Sequence, residues 1–398
     1  MYCFSQYRFR CKRAPIVEQD TGIRCLRIQD VSQVKSFEDW GFTDVTPANF
    51  KKFQLKKDDI LIARTGGSIG VNRYIEEDLQ SVYNNGLIRI RVNIERYDPK
   101  FVFYLLRTES FKQHINAIAF STAAQPNMKI RDFLRFEFLD ITLEQQKLIA
   151  RNLTSLDRKI ELNKKTNQTL EQMAQAIFKS WFVDFDPVKA KMRGEQPEGM
   201  DEATASLFPE KLVESELGLI PEGWEVLPFS EWVKITKGKN ITKKTIVDGD
   251  VPVVAGGLKP AYFHNAHNVD GPAITISASG ANAGYVNLYF ENIWASDCSY
   301  ISQSTTPLFF LQYVALRYNQ KKIFDMQTGA AQPHIYPRDF ERLMIVVPNK
   351  ELCRKLEEVF ASFFRAVANN KQQNIDLAAL RDTLLPKLLS GDIELETK

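Results

Sequence analysis

The residues best equipped for chemistry in this chain are few and scattered. Its four histidines stand at 114, 264, 267 and 334. His264 and His267 lie three apart in "YFHNAH", but no acidic third ligand follows at helical spacing, and a solvated loop accounts for them. The five cysteines (3, 11, 25, 298 and 353) show neither CxxC spacing nor a histidine companion cluster. That argues against zinc, and an odd, scattered set fits reduced thiols in a cytoplasm. The turn "RTGGSIG" (64–70) lacks the Lys-Ser/Thr that completes a phosphate loop. No Gly-x-Ser-x-Gly elbow, adenosylmethionine loop or Asn-Pro-Pro-Tyr motif occurs. The expectation is a chain that binds rather than catalyses, with no metal.

Groups able to read base edges are more plentiful. Arg and Lys match guanine, and Asn and Gln match adenine. The stretch "TKGKNITKKT" (236–245) offers Lys237, Lys239, Asn240, Lys243 and Lys244, although a solvated charged loop would use the same residues. Two Gly-rich turns, "RTGGSIGVNR" and "SASGANAG", add Arg64, Thr65, Ser68, Asn72 and Arg73, then Ser277, Ser279 and Asn282. Their glycines serve either a tight hairpin or a close backbone approach to a ligand. A net charge of +3 is too mild to announce nucleic-acid binding by itself.

The elements that must position these groups come in two copies. Residues 123–138, "AAQPNMKIRDFLRFEF", match 330–345, "AAQPHIYPRDFERLMI", at eight of sixteen positions with a shift of 207. Residues that build a shared frame should match between copies, and residues that read different targets should not. Gln125 and Gln332, Arg131 and Arg338, and Asp132 and Asp339 therefore read as a junction of domain and helix, held by Arg–Asp pairing and turn chemistry. A phosphate or partner contact by the glutamines is the second reading. Asn127 and His334 differ between copies and are candidates for touching bases. Upstream, "KKDDILIARTGGSIGVNRYI" (56–75) and "GPAITISASGANAGYVNLYF" (271–290) each read as strand, Gly-rich turn, strand, with Gly66 and Gly70 matching Gly280 and Gly284 at a shift of 214.

Downstream of each copy lies a heptad-patterned helix. Ile149, Leu153, Leu156, Ile160, Asn163, Asn167, Leu170, Ala174, Ile177 and Trp181 alternate by four and three, and adding 207 gives a second seam broken only by Arg381. Thr142 with Gln145 forms a capping box, Asn349 is an N-cap, Gly391 is a stop, and Pro386 should kink the last turn. An asparagine in a seam fixes register at a cost in stability. Antiparallel helices would set Asn163 against Asn374 and Asn167 against Asn370, both pairs summing to 537, with Leu156 against Arg381 as the weak point. Two amphipathic helices packed on their own domains would show the same pattern. Helices of about 40 residues run about 60 Å, which caps the separation of two readers near 18 base pairs at about 3.4 Å each. Phe178, Trp181 and Phe182 either cap a domain core or anchor a partner.

With 398 residues, 44% hydrophobic and 25% charged, the chain is an ordinary globular protein of two or more domains. It has no apolar run long enough for a membrane span, and its opening residues lack a signal-peptide core. Three stretches, "LEQMAQAIFKSWFVDFDPVKAK" (170–191), "SELGLIPEGWEV" (215–226) and "LRDTLLPKLLSGDI" (380–393), closely resemble the specificity subunit of Type I restriction–modification enzymes. The resemblance implies an α+β fold: two β-rich α/β target-recognition domains joined by two long antiparallel coiled-coil helices with pseudo-twofold symmetry. It implies a non-catalytic subunit that reads a bipartite, asymmetric site in double-stranded DNA. Its partners would be two modification (methyltransferase) subunits and two restriction (motor–nuclease) subunits, which would carry S-adenosylmethionine and ATP. The alternatives are the specificity subunit of a fused restriction–methylation enzyme and a coiled-coil assembly protein that binds no DNA. The expected boundaries are a recognition domain at 1–142, a helix at 143–182, a connector with at most a short helix at 183–217, a second recognition domain at 218–348, a helix at 349–390 and a tail at 391–398. The second domain opens with "IPEGWEVLPFSEWVKITKGKNIT" (220–242). The first has nothing similar and is expected to lack that opening module.

Overall fold

The structure, a computed structural model, describes residues 4–8, 14–119, 133, 135–138, 141–329, 332–390 and 393. The chain divides into two compact units, residues 1–162 with 373–398, and residues 163–372. No helix among the described residues is long and apolar enough to cross a membrane.

In the first unit, β1 (Phe4–Arg8), β2 (Ile16–Val17), β3 (Arg24–Leu26), β4 (Phe42–Thr43), β5 (Ile60–Ala63), β6 (Asn72–Tyr74), β7 (Ser81–Tyr83) and β8 (Leu87–Val92) build two sheets, ordered β1-β8-β5-β6 and β2-β4-β3-β7. Among the described residues of this unit, only β3 and β7 pair in parallel. All four residues of β5 are buried, and the two-residue period of a strand divides them between two cores. Ile60 and Ile62 join Ile88, Ile90 and the helix residues Phe101, Val102 and Leu105, while Leu61 and Ala63 join Leu26, Trp40 and Tyr83. Thr46 and Asp98 cap the helices Pro47–Phe53 and Pro99–Leu105, accepting from the N–H of Asn49 and Phe101, with a proline at the first helical position of each.

The second unit repeats this plan and adds to it. Its strands are β9 (Leu212–Ser215), β10 (Gly218–Pro221), β11 (Glu225–Pro228), β12 (Thr236–Lys237), β13 (Val251–Val254), β14 (Tyr262–His264), β15 (Ala273–Ser277), β16 (Val286–Tyr289), β17 (Trp294–Ala295), β18 (Cys298–Ser302) and β19 (Met344–Val347). The order β12-β18-β15-β16 copies β1-β8-β5-β6, and the order β14-β13-β17 copies β4-β3-β7, parallel pair included. β1 thus occupies the place of β12, so the first copy does hold one strand of the opening module. The β11–β19 pair and the turn of helix Phe229–Trp232 have no counterpart among the described residues of the first unit.

The segment expected to be a connector does more than connect. It forms the helices Asp186–Met192 and Glu202–Ser206 and the strand β9, which pairs with β10 at the start of the next expected domain. Its Pro/Gly content conceals an aromatic knot. Phe178 stacks on Phe182 at 4.8 Å, Phe182 and Phe185 meet Trp224, and Trp181 meets Phe208 edge-on at 5.1 Å. Phe178 and Phe182 are 5% exposed, so they belong to the core of the second unit and are withdrawn as partner anchors. Trp181 is half-buried against the same core.

The two long helices span Leu143–Phe182 and Lys350–Ser390. The capping box closes reciprocally, with Gln145 N–H donating to Thr142 Oγ1 (3.3 Å) and Thr142 N–H to Gln145 Oε1 (3.0 Å). Asn349 Oδ1 accepts from Leu352 N–H (2.9 Å). The second helix continues through Pro386 to Ser390, and Gly391 lies outside the described residues. In the second unit Asn370 Nδ2 donates to Asn167 Oδ1 (2.8 Å), and Asn167 is 8% exposed. Within the first unit, Ile149, Leu153, Leu385 and Leu388 share one core. Beside them Arg381 is not a defect: it reaches Asp157 (2.6 Å), which also accepts from the Tyr104 hydroxyl (2.8 Å). A long basic stem lies along the seam while its head finds a carboxylate. One expected seam residue is displaced. Phe364, not Phe363, is the fully buried ring, stacked on Phe310 at 5.4 Å, because the helix Phe309–Tyr318 adds a second face for the long helix to cover.

That helix is held at its start by Glu357, whose carboxylate accepts from the N–H groups of Phe310 (3.2 Å) and Leu311 (2.8 Å). Burial pushes its carboxyl up to about 7, with the two N–H bonds pulling the other way. The folded state therefore holds a proton that the unfolded chain releases near 4.5, and stability falls as pH rises from about 4.5 to 7. Thermal unfolding midpoints should decline across that window in the wild type and stay flatter in Glu357→Gln. A double-mutant cycle of Arg381→Leu and Asp157→Leu, read by urea unfolding, should return a coupling of about 1–3 kcal/mol.

Candidate nucleic-acid interface

The second unit gathers several sequence-predicted residues into one patch. β12 places Lys237 opposite Ser299 of β18. The chain then leaves along the 295–298 segment, with Gly238 N–H donating to Cys298 O (2.8 Å) and Lys239 N–H to Ala295 O (2.9 Å). A Cβ on Gly238 would lie 2.5 Å from Ser296 O, so glycine is required for this approach. Asn240, Lys243 and Lys244 follow in an exposed turn.

The "QPHIYPRD" segment (332–339) returns to the same place. His334 exchanges backbone hydrogen bonds with Thr328, Gly280 N–H donates to Pro333 O (3.0 Å), and Ile335 N–H donates to Ala278 O (3.0 Å). His334 stacks on Tyr336 at 5.9 Å, and the Lys237 ammonium and Arg338 guanidinium lie 5.7 and 5.8 Å from the Tyr336 ring. Such cations over an aromatic face are held without being neutralised and stay able to meet phosphate. The Ser279 hydroxyl donates to Asp297, and Asn282 Nδ2 donates to Gly256 O (3.5 Å). Lys237, Ser279, Asn282 and His334 thus converge.

Other assignments change. Ser277 is 4% exposed within β15, so its hydroxyl points into protein and is withdrawn as a DNA contact. The junction stretch keeps its turn chemistry but not its expected ion pair. Asp339 accepts from Tyr336 N–H (2.7 Å) and pairs with Arg342 (3.1 Å), leaving Arg338 to the Tyr336 ring. Asn127 and the first "AAQP" lie outside the described residues.

In the first unit Gly66 and Gly70 adopt φ of 76° and 85°, as Gly280 and Gly284 adopt 77° and 82°. The matched glycines are therefore needed by the turn itself, which brings Gly70 N–H to Ala63 O and Gly284 N–H to Ser277 O. Arg64, Thr65 and Ser68 are half-buried around that turn. Asn72 and Arg73 are structural ties: Asn72 Nδ2 donates to Leu106 O (2.8 Å), and Arg73 donates to Lys35 O and lies over Trp40 at 4.9 Å. Strand residues beside a turn point alternately inward, which the turn's polar composition concealed.

His264, His267, Cys298 and Cys353 serve structure. His264 Nδ1 sits 3.1 Å from the backbone of Val247, and His267 pairs with Asp270 (3.0 Å). Among the described residues no group of three His, Cys, Asp or Glu could hold a metal ion. Burial pushes the Cys298 and Cys353 thiols up to about 12, which leaves them unreactive.

Tyr336 and Asp297 were missed by the sequence reading, which took Arg338 for a junction residue. Tyr336 answers to Lys129 of the first copy, so the criterion that selected Asn127 and His334 would have selected it too. For Asp297 no local signal exists, because only the fold carries it to Ser279.

Known proteins share this architecture. The family model for the Type I restriction modification DNA specificity domain matches residues 22–172 and again 221–378. The Type I restriction enzyme HindI specificity subunit of Haemophilus influenzae is 28% identical, with 87% of this chain and 89% of that one covered. The MjaIX specificity subunit of Methanocaldococcus jannaschii is 25% identical over 75% of this chain and 69% of its own. A solved S subunit from M. genitalium matches in fold with a TM-score of 0.54 at 19% identity, covering 98% and 96% of the two chains. Two matches of one model, falling on two units of one topology, settle the matter: the chain belongs to the Type I restriction–modification DNA specificity family and carries its domain twice.

Proposed function

We propose that this DNA-recognition subunit reads a bipartite, asymmetric site, one half through each unit, across a nonspecific spacer set by its long helices. The observation that supports the reading is the repetition itself. The sheets β1-β8-β5-β6 and β12-β18-β15-β16 share a topology, while the side chains around their turns differ. A pseudo-symmetric reader suits a divided target, and diverged halves free the target from being a palindrome.

In this reading the chain supplies no catalysis and no cofactor. Two modification subunits bring S-adenosylmethionine for N6-adenine methylation, and two restriction subunits bring ATP-driven cleavage. They act in the cytoplasm and contribute the phosphate contacts that a net charge of +3 leaves wanting.

Methylome sequencing of a host carrying the complete system should return one split motif with unlike halves. Purified complex with its modification subunits should then retain a duplex bearing that motif against excess random duplex. Equal competition by random duplex would end the proposal. Lys237→Ala and Arg338→Ala should each flatten the dependence of log affinity on log salt by about one unit where the cation meets a phosphate.

A further inference from the structure

One loop has a shared frame and unlike side chains in the two units. In the first unit β7, parallel to β3, turns into β8 through Asn84, Asn85 and Gly86. In the second, β17, parallel to β13, turns into β18 through Ser296 and Asp297. The same backbone bond pins both: Arg64 N–H donates to Gly86 O (3.0 Å), and Ala278 N–H donates to Asp297 O (3.2 Å). Positions 64 and 278 differ by the 214 that relates the two glycine turns.

The second loop is gripped closely. Ser296 N–H donates to Val254 O (2.8 Å), and the Gly238–Lys239 backbone binds its other side. A Cβ on Gly256 would lie 2.7 Å from Ser279 O. Asp297 is half-buried at this junction. Its carboxylate accepts from the Ser279 hydroxyl and forms no ion pair among the described residues, although Lys237 and Arg338 belong to the same patch. Facing a phosphate polyanion, an unpaired carboxylate is repelled unless it meets a hydrogen-bond donor. In the major groove such donors are the exocyclic amino groups of cytosine and adenine. By that bond Gly86 stands where the second unit has Asp297, and the first loop, one residue longer, presents the exposed Asn85 just before it, whose amide matches adenine.

We propose that this loop reads one base in each half-site. Asp297, oriented by Ser279, accepts from cytosine N4 or adenine N6, and Asn85 pairs with adenine. The inference rests on the bipartite reading above and assigns residues to it.

The test uses the complex with modification subunits and a panel of duplexes in which each base pair of the motif is replaced in turn. With Asp297→Asn, affinity for the intact site should fall on the order of tenfold or more. Discrimination should collapse at one base pair of one half, and the base at that position tells cytosine N4 from adenine N6. Ser279→Ala should weaken the same position less. Asn85→Asp should act on the opposite half and, being an exposed change, decides alone if Asp297→Asn fails to assemble. A uniform gain or loss over all duplexes, random ones included, or an unchanged panel, would overturn the inference while the wild-type complex still discriminates. Failure of the wild type to discriminate would instead sink the bipartite reading.

Discussion

A helix seam that must bury polar groups has few registers in which every one of them finds a partner. In the second unit Asn370 meets Asn167, and in the first Arg381 meets Asp157. Sliding the first pair by one residue would strand a buried amide, at a cost of about 1–3 kcal/mol, and sliding the second would part a guanidinium from the carboxylate it shares with the Tyr104 hydroxyl. Leucines and isoleucines alone would tolerate such slippage better. The polar pairs therefore specify register at some expense of stability. Tyr104 extends this control to the first recognition domain, since its hydroxyl donates to the same Asp157.

Upon that frame the chain separates what is constant from what varies. Glycines at positive φ, the parallel strand pair and the backbone bonds of the 84–86 and 296–297 loops are duplicated. Side chains carried on those turns are not. A DNA-recognition subunit benefits from this division, because a side chain can change its base preference without altering the fold that presents it. The mild overall charge fits the same design. Five of the chain's 52 Lys and Arg residues, Lys237, Lys239, Lys243, Lys244 and Arg338, belong to the second unit's candidate interface, and two of these are held over Tyr336.

The sequence alone determined the duplication, the two long helices with their caps, the glycine turns and the family. Each depends on local periodicity or on identity at a fixed shift, and both survive in one dimension. Tertiary structure decided which polar residues face outward. Ser277, Asn72 and Arg73 looked like readers, yet strand alternation and neighbouring backbone turn them into structural ties. Phe178 and Phe182 looked available to a partner until Tyr318 and Trp224, distant in sequence, covered them. Asp297 gave no sign of interest until folding set it beside Ser279. Burial and convergence are properties of long-range packing, so no local pattern could have announced them.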